Sequence, residues 1–500
     1  MTTSRKRTLV VAGFGAFLAL IPALFLWEFT VDDALIIARY ATHIARGVGY
    51  RWNVNGPITD TITPLGFPYL LAPFGRPGPL AALAAAKAIG LICWLVGAGF
   101  VAVAVDRASS DRRRYLALLL IPVSAPLAAW SVAGLETGVA TSLAAIGISL
   151  VALGSPGLGA AFVGLSAALR PELAPFAFVS ALAPAPDKPT PAWKNLFIRL
   201  AIAAAPFVIV AVVRVVIFGR PTPLATLAKP SDPGLGMKYA LACFLLTGPL
   251  AIVAPFALRR AKPFVLVLSG AIAVHFAAIA IAGGDWMPLS RLVVPILPTC
   301  VIVAAHLASI ADTRATAVRL ILALAGELFV MIKIGPSAAR VGPDRRELIR
   351  QLGPVLREAR VVGALDVGWI GAATEATIVD FAGLTDPAIA VLPGGHTTKR
   401  IGPTLLDKRG IDTLVLLRLQ GTTTATPWTD TPFDRGVEER IASFPNIADE
   451  FAVIGESTSP GLPYVVLRRR VNSGFGVQGA EGDPKPQMLE QVIDPGREGP

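Results

Sequence analysis

Five hundred residues would suffice for several soluble domains, but 54% hydrophobic against 16% charged residues excludes a soluble chain. The formal charge of +11 would suit nucleic acid only if the basic residues shared one face. They sit instead in short clusters between apolar runs, so no nucleic-acid partner is expected.

The mean hydropathy of +0.62 points to a bilayer as the solvent. In chain order, the first apolar run, Thr8 to Leu26, follows Arg5, Lys6 and Arg7 as a signal peptide would. It ends in Leu26-Trp27-Glu28 with no small-residue cleavage site, and so reads as a retained anchor. Further spans are expected at Leu80–Val105, Leu116–Trp130, Gly138–Leu153, Leu196–Phe218, Tyr239–Leu258, Phe264–Ala282, Leu292–Ala305 and Ala317–Ile334. The apolar stretch Leu158 to Ala183 is interrupted by Arg170-Pro171-Glu172, and a proline between two charges favours two half-helices. The fold class that follows is mainly α: a polytopic membrane helix bundle of about 10 to 11 spans. Cys93, Cys243 and Cys300 lie in or beside the apolar runs without CxxC or metal-ligand spacing, so no disulfide or zinc site follows.

The basic loops Arg5–Arg7, Asp106–Arg114, Lys188–Arg199, Arg259–Lys262 and Arg314–Arg319 belong in the cytoplasm by the positive-inside rule. This places the N-terminus inside a bacterial-type plasma membrane and assigns the first loop, 28–79, to the outer side. The Gly134 turn, Gly219–Lys238, Gly283–Ser290 and everything after Gly335 join it there. Trp27, Trp130 and Trp286 then fall at outer span ends, where interfacial aromatics belong. After the transmembrane domain 1–340, the composition becomes charged and mixed. The β-rich runs Val361–Leu365, Ala376–Val379, Thr413–Leu417 and Tyr464–Leu467 predict a small extracytoplasmic α/β domain over 341–471. The Gly-, Pro- and acid-rich tail 472–500 is expected to be disordered.

Candidate chemistry gathers on the outer side. From Asp32 to Arg46 a helical plot puts Asp32, Arg39, His43 and Arg46 on one stripe and Ala34, Ile37, Ala38, Ala41, Ile44 and Ala45 on the other. This is the pattern of a helix lying along the membrane surface, with a carboxylate and cations at lipid-phosphate depth. A plain surface helix with a solvated acidic start has the same pattern. Glu136 stands at the mouth of two spans, Arg170 and Glu172 in the broken helix, and Asp285 shortly before Arg291 at another span start. Each alone could be a cap or a structural ion pair, but ionisable groups at membrane depth usually line a cavity. The outer loop Gly219 to Lys229 carries two basic residues against the charge rule, which a phosphate ligand would explain and a short proline-stiffened connector with incidental charges would explain equally well. His43 and His396 are possible substrate contacts, whereas His275 and His306 belong to packed spans. Asp32, Asp33, Glu136 and Asp285 could converge on a divalent metal, but sequence supplies no distances and no metal is assigned. The turn Asp366–Gly371 lacks a full glycine fingerprint and reads as an ordinary α/β turn.

Several of these segments resemble one family. Asp32-Asp33-Ala34 through Arg39-Tyr40, Gly47-Val48-Gly49, Trp52-Asn53 and Thr61-Ile62-Thr63-Pro64-Leu65 look like the first outer loop of the GT-C polyprenyl-phosphate-dependent glycosyltransferases, in their arabinofuranosyltransferase and mannosyltransferase-like branch. Gly134-Leu135-Glu136-Thr137, Leu169-Arg170-Pro171-Glu172, Pro223 to Lys229, Gly283-Gly284-Asp285 to Arg291, Asp366-Val367-Gly368 and Asp380 to Asp386 follow in the same order. The resemblance implies a polyprenyl-phosphate sugar donor, a cell-envelope glycan or lipid acceptor, inversion at the anomeric carbon, and a catalytic aspartate in the first outer loop. By position that aspartate is Asp32, with Asp33 the alternative. Lys229, Arg291 and Arg39 are then expected to bind the donor phosphate, and Glu136, Arg170, Glu172, Asp285, His43 and His396 to surround the substrate. The chain departs from the branch at Pro221-Thr222-Pro223-Leu224, which lacks an asparagine after proline, and at Ile36, where an aromatic is common. These departures leave the sugar open. A transporter or lipid flippase is the main rival, since buried charges and a broken helix are also transport features. A polysaccharide polymerase or ligase of another fold is the second.

Overall fold

A computed structural model describes residues 3–186, 188, 192–421, 427–459 and 461–470. The tail 472–500 lies outside the described residues. Among them, five helices are long and apolar enough to cross a membrane: Arg5–Phe25, Pro79–Ala108, Trp193–Phe218, Pro263–Ile281 and one within Thr313–Leu356. The chain is a mainly α membrane protein. Its lipid-facing surface is plainest on Trp193–Phe218, where only 11% of the apolar window is buried, against 56% in Pro79–Ala108. Val208, Ile209, Val212 and Val216 are all exposed there, an apolar face that water would not tolerate.

The expected 10 to 11 spans are not reached by these helices. A sixth span arises if Arg112–Val123 and Ala125–Val132, bent by 53°, are taken together. Four more apolar helices, Thr137–Ala152, Pro156–Leu169, Pro233–Leu246 and Val294–Ala308, are only 10–17 residues long. Hydropathy reports where apolar residues are, not whether one helix runs through them. The run Tyr239–Leu258, for example, breaks at Gly248 (φ 99°) before Pro249, because a left-handed residue and a missing N–H together end the helix. The break at Arg170 is present: helix Pro156–Leu169, a tight turn Pro171–Leu173, then helix Ala174–Ala181.

Two elements matter most for the site. α1, Thr3–Phe25, packs along Pro79–Ala108, and α2, Asp32–Ala45, follows at its far end. α2 is not a surface-lying helix as expected. Eleven of its residues, from Asp32 to His43, are buried, Arg39 and His43 included. Its apolar side packs on the neighbouring helices, and its polar stripe is covered by the C-terminal domain.

That domain is built on a five-stranded sheet in the order β2-β1-β3-β5-β4. β1 (Val361–Ala364) pairs in parallel with β2 (Thr377–Asp380) and β3 (Thr413–Leu417); β5 (Tyr464–Arg469) is antiparallel to β3 and β4 (Phe451–Glu456). Four strands fall on the β-rich runs, and β4 goes beyond them. The parallel strands are nearly continuous in Val, Ile and Leu because both faces are covered. The helix Val367–Ala373, between β1 and β2, packs against α2 and thereby anchors the domain to the membrane bundle.

Candidate functional site

A cavity of about 370 Å³ opens at the end of the bundle that carries the C-terminal domain. Its size falls within the usual range for small-molecule sites. α2 supplies Asp33, Ile36 and Ile37, and the first loop supplies Thr61 to Pro64. Glu136 and Glu172 line one wall, Arg214 and Phe207 another, and Lys229 and Arg291 bring two further cations. Leu384 enters from the C-terminal domain.

Each charge has a local reason for its position. Arg291 follows a tight loop in which Gly283 (φ 94°), Gly284 (φ 71°), Leu289 (φ 58°) and Ser290 (φ 55°) are all left-handed. The two non-glycine residues store backbone strain of roughly 1 kcal/mol or more each. The strain is held in place from outside, since the Trp130 indole N–H donates to the Leu289 carbonyl at 2.8 Å. Arg291 Nε donates to Asp285 at 2.7 Å, and its guanidinium lies 5.8 Å from the Trp130 ring centre. Burial opposes its charge, but Asp285, Asp33, Glu136 and Glu172 outweigh that and hold it above the ordinary guanidinium value. Lys229 closes the short helix Ala225–Ala228 and lies 5.7 Å over the Trp286 ring. Glu136, Arg170 and Glu172 form one network: Arg170 donates to Glu136 at 2.9 Å, to Glu172 at 2.6 Å and to Thr137 at 3.0 Å. Arg170 therefore stands behind the wall and orients the two carboxylates that face the cavity.

The two adjacent aspartates part company. Asp33 faces the cavity, whereas Asp32, expected as the residue facing the cations, turns away from it. Its carboxylate accepts from the backbone N–H groups of Gly368 (2.7 Å) and Trp369 (3.0 Å), at the start of helix Val367–Ala373. A helix N-terminus favours a negative partner, so Asp32 acts as the pin between α2 and the C-terminal domain. Gly368 suits this approach because a Cβ there would collide with the Asp32 carbonyl. Burial pushes the Asp32 carboxyl above the usual range; Arg345 and the two amides oppose the shift, and nearby Asp366 adds to it.

Arg39, expected on the donor phosphate, is likewise committed elsewhere. It is 1% exposed and donates to the carbonyls of Trp52 (3.1 Å), Gly371 (2.8 Å), Thr374 (2.7 Å) and Ala376 (3.3 Å). His43 makes a 2.8 Å hydrogen bond with the Arg51 carbonyl, away from the cavity. Arg46 pairs with Glu375 of the C-terminal domain at 2.8 Å. The polar stripe of α2 is real, but what covers it is this chain's own C-terminal domain and not a lipid headgroup.

His396 comes from the C-terminal domain to lie against Trp286, with ring centres 5.9 Å apart and the planes tilted by 36°. Burial first, and then the charge of Lys229, depress its pKa to about 4, so the ring is neutral near pH 7. An unfolded histidine titrates near 6.5, so the unfolded chain binds the extra proton between about 6.5 and 4. Stability should therefore fall as pH drops through that window, and His396→Phe should remove this part of the dependence. Thermal unfolding of both proteins across the window checks it.

Sequence reasoning missed Arg214 and Asp60. Arg214 lies inside the apolar helix Trp193–Phe218, 1% exposed, with its Nε 3.0 Å from Asp60. Its Nη2 donates to the carbonyls of Ile62 (2.8 Å) and Thr63 (2.7 Å), which fixes the first loop along the cavity. The available signal was the arginine itself, since a charge within a span is costly unless it faces a cavity or a partner. Among the described residues, no three of His, Cys, Asp and Glu group as a metal site. No family model matches the chain, and no curated protein matches it.

Proposed function

We propose that the chain is a membrane glycosyltransferase that moves a sugar from a polyprenyl-phosphate donor to a glycan or lipid acceptor of the cell envelope, with inversion. The observation that carries this reading is that a single first-loop carboxylate, Asp33, shares one cavity at the end of a membrane bundle with the cations Lys229 and Arg291. The sequence resemblance to the GT-C enzymes supplies the reaction class. The membrane setting supplies a route for a lipid-linked substrate, because Phe207, Val210 and Ala211 of a lipid-exposed helix also line the cavity. In this reading the cavity faces the outside and the N-terminus the cytoplasm.

The chemistry asked of the residues is modest. Asp33 accepts the proton of the acceptor hydroxyl as that oxygen forms its bond to the anomeric carbon. The carbon–oxygen bond to phosphate breaks on the opposite face, and the phosphate leaves with the electron pair, held by Lys229 and Arg291. Phosphate is a stable anion, so no strong general acid is needed. Glu136 and Glu172, oriented by Arg170, are placed to hold sugar hydroxyls, and Asp285 to fix Arg291. His396, neutral and beside Trp286, does not line the cavity but lies close enough to feel Lys229 and Asp33, and is assigned to the acceptor side.

The test incubates the purified chain with a panel of polyprenyl-phosphate sugars and measures free polyprenyl phosphate. Release from at least one donor, dependent on Asp33, is expected. Silence with every donor would overturn the reading in favour of the transport rival.

A further inference from the structure

A second cavity, about 210 Å³, lies on the other side of α2: Leu35 faces it where Asp33 faces the first. Its walls are apolar, from Trp27, Leu80, Leu83 and Ile349, yet Lys87, Arg345 and Arg346 meet there with Glu28 as the only acid. Lys87 is 7% exposed; its ammonium donates to the Phe29 carbonyl at 2.8 Å and lies 5.4 Å from the Trp27 ring centre. Glu28 is itself bound to Arg346 at 2.8 Å. Arg345 Nε is buried without a hydrogen-bond partner. Arg345 is answered by Asp32 and Asp366 and donates to the Tyr464 hydroxyl, so Lys87 and Arg346 against Glu28 leave the cavity with an excess of one positive charge, set in apolar surface. Such an excess is costly unless an anion joins it.

We propose that this cavity binds the phosphate headgroup of an anionic phospholipid. Three features favour a lipid over a soluble anion. The cavity is formed where α1 ends and Pro79–Ala108 begins, at the limit of two membrane-length helices. A tryptophan stands at that limit, as at membrane–water interfaces. Leu80 and Leu83 line the cavity beside Lys87 on the same helix, apolar surface that an acyl chain would cover. The inference rests on the membrane character of the chain and not on glycosyl transfer.

Native mass spectrometry of the purified full chain, titrated with phosphatidylglycerol, phosphatidylcholine or inorganic phosphate, tests it. The expected result is saturable binding of one phosphatidylglycerol, with phosphatidylcholine and free phosphate at least about tenfold weaker, a difference of about 1.4 kcal/mol. Lys87→Gln should weaken phosphatidylglycerol about tenfold and Lys87→Arg should restore it. Ala84→Trp fills the cavity from an exposed position without touching a charge, and should abolish binding even if Lys87→Gln folds poorly. Unchanged phosphatidylglycerol affinity in Ala84→Trp, or equal binding of phosphatidylcholine or of free phosphate, would overturn the proposal. Donor turnover is a separate readout: its absence would sink the enzyme reading and leave this lipid site standing.

Discussion

Asp33→Asn is expected to lower polyprenyl-phosphate release by about 10² to 10⁴ while donor affinity stays within about threefold. The amide keeps the size and an acceptor oxygen but cannot take the proton from an incoming hydroxyl. The phosphate, held by Lys229 and Arg291, should hardly notice the change. Asp32→Asn should behave differently. Both amides of the Gly368–Trp369 pair lose a charged partner and one of them faces an NH2 donor, so the C-terminal domain loosens on α2 and protease sensitivity rises. A comparison of release, donor binding and limited proteolysis for the two variants separates the roles. Near wild-type release from Asp33→Asn, with release lost in a well-folded Asp32→Asn, would reverse the assignment.

Asp60→Asn is expected to cost about 3–5 kcal/mol of stability, the usual price of leaving one partner of a buried ion pair alone. Both partners are almost fully buried, Asp60 at 0% and Arg214 at 1%. Arg214 would also lose the alignment with which it holds the Ile62 and Thr63 carbonyls, so the first loop should shift along the cavity wall. The pair variant Asp60→Asn with Arg214→Met removes the stranded charge and should recover much of the loss. Thermal unfolding in detergent gives the stability difference, and donor binding reports the loop. A pair variant no more stable than Asp60→Asn would show that the charge is not what matters there.

The same residues show how far sequence reading reached. The alternation of polar and apolar faces on α2 was legible because a 3.6-residue period is a local property. Its partner was not, since the helix Val367–Ala373 arrives more than 300 residues later and fills the polar face with its own amides and carbonyls. A stripe of Asp, Arg and His is the same whether lipid, water or another part of the chain lies against it. The clustering of Glu136, Glu172, Lys229 and Arg291 was legible because charges in membrane-depth turns have few stable alternatives to a shared cavity. Arg214 stayed hidden because a single charge barely alters the hydropathy of a long valine-rich run, and its partner Asp60 gave no local sign of pairing.

Composition and run length by themselves determined that this is a mainly α membrane protein with a small sheet domain at its C-terminal end. Apolar area and strand patterning are sums over short windows, and no distant contact can cancel them. Which aspartate faces the cavity, where the long apolar runs break, and what covers the polar face of α2 were decided only by tertiary structure. Neighbouring residues on a helix point about 100° apart, so the choice between Asp32 and Asp33 depends on what packs against each side of α2. For Asp32 that is a pair of backbone amides, and for Asp33 an open cavity.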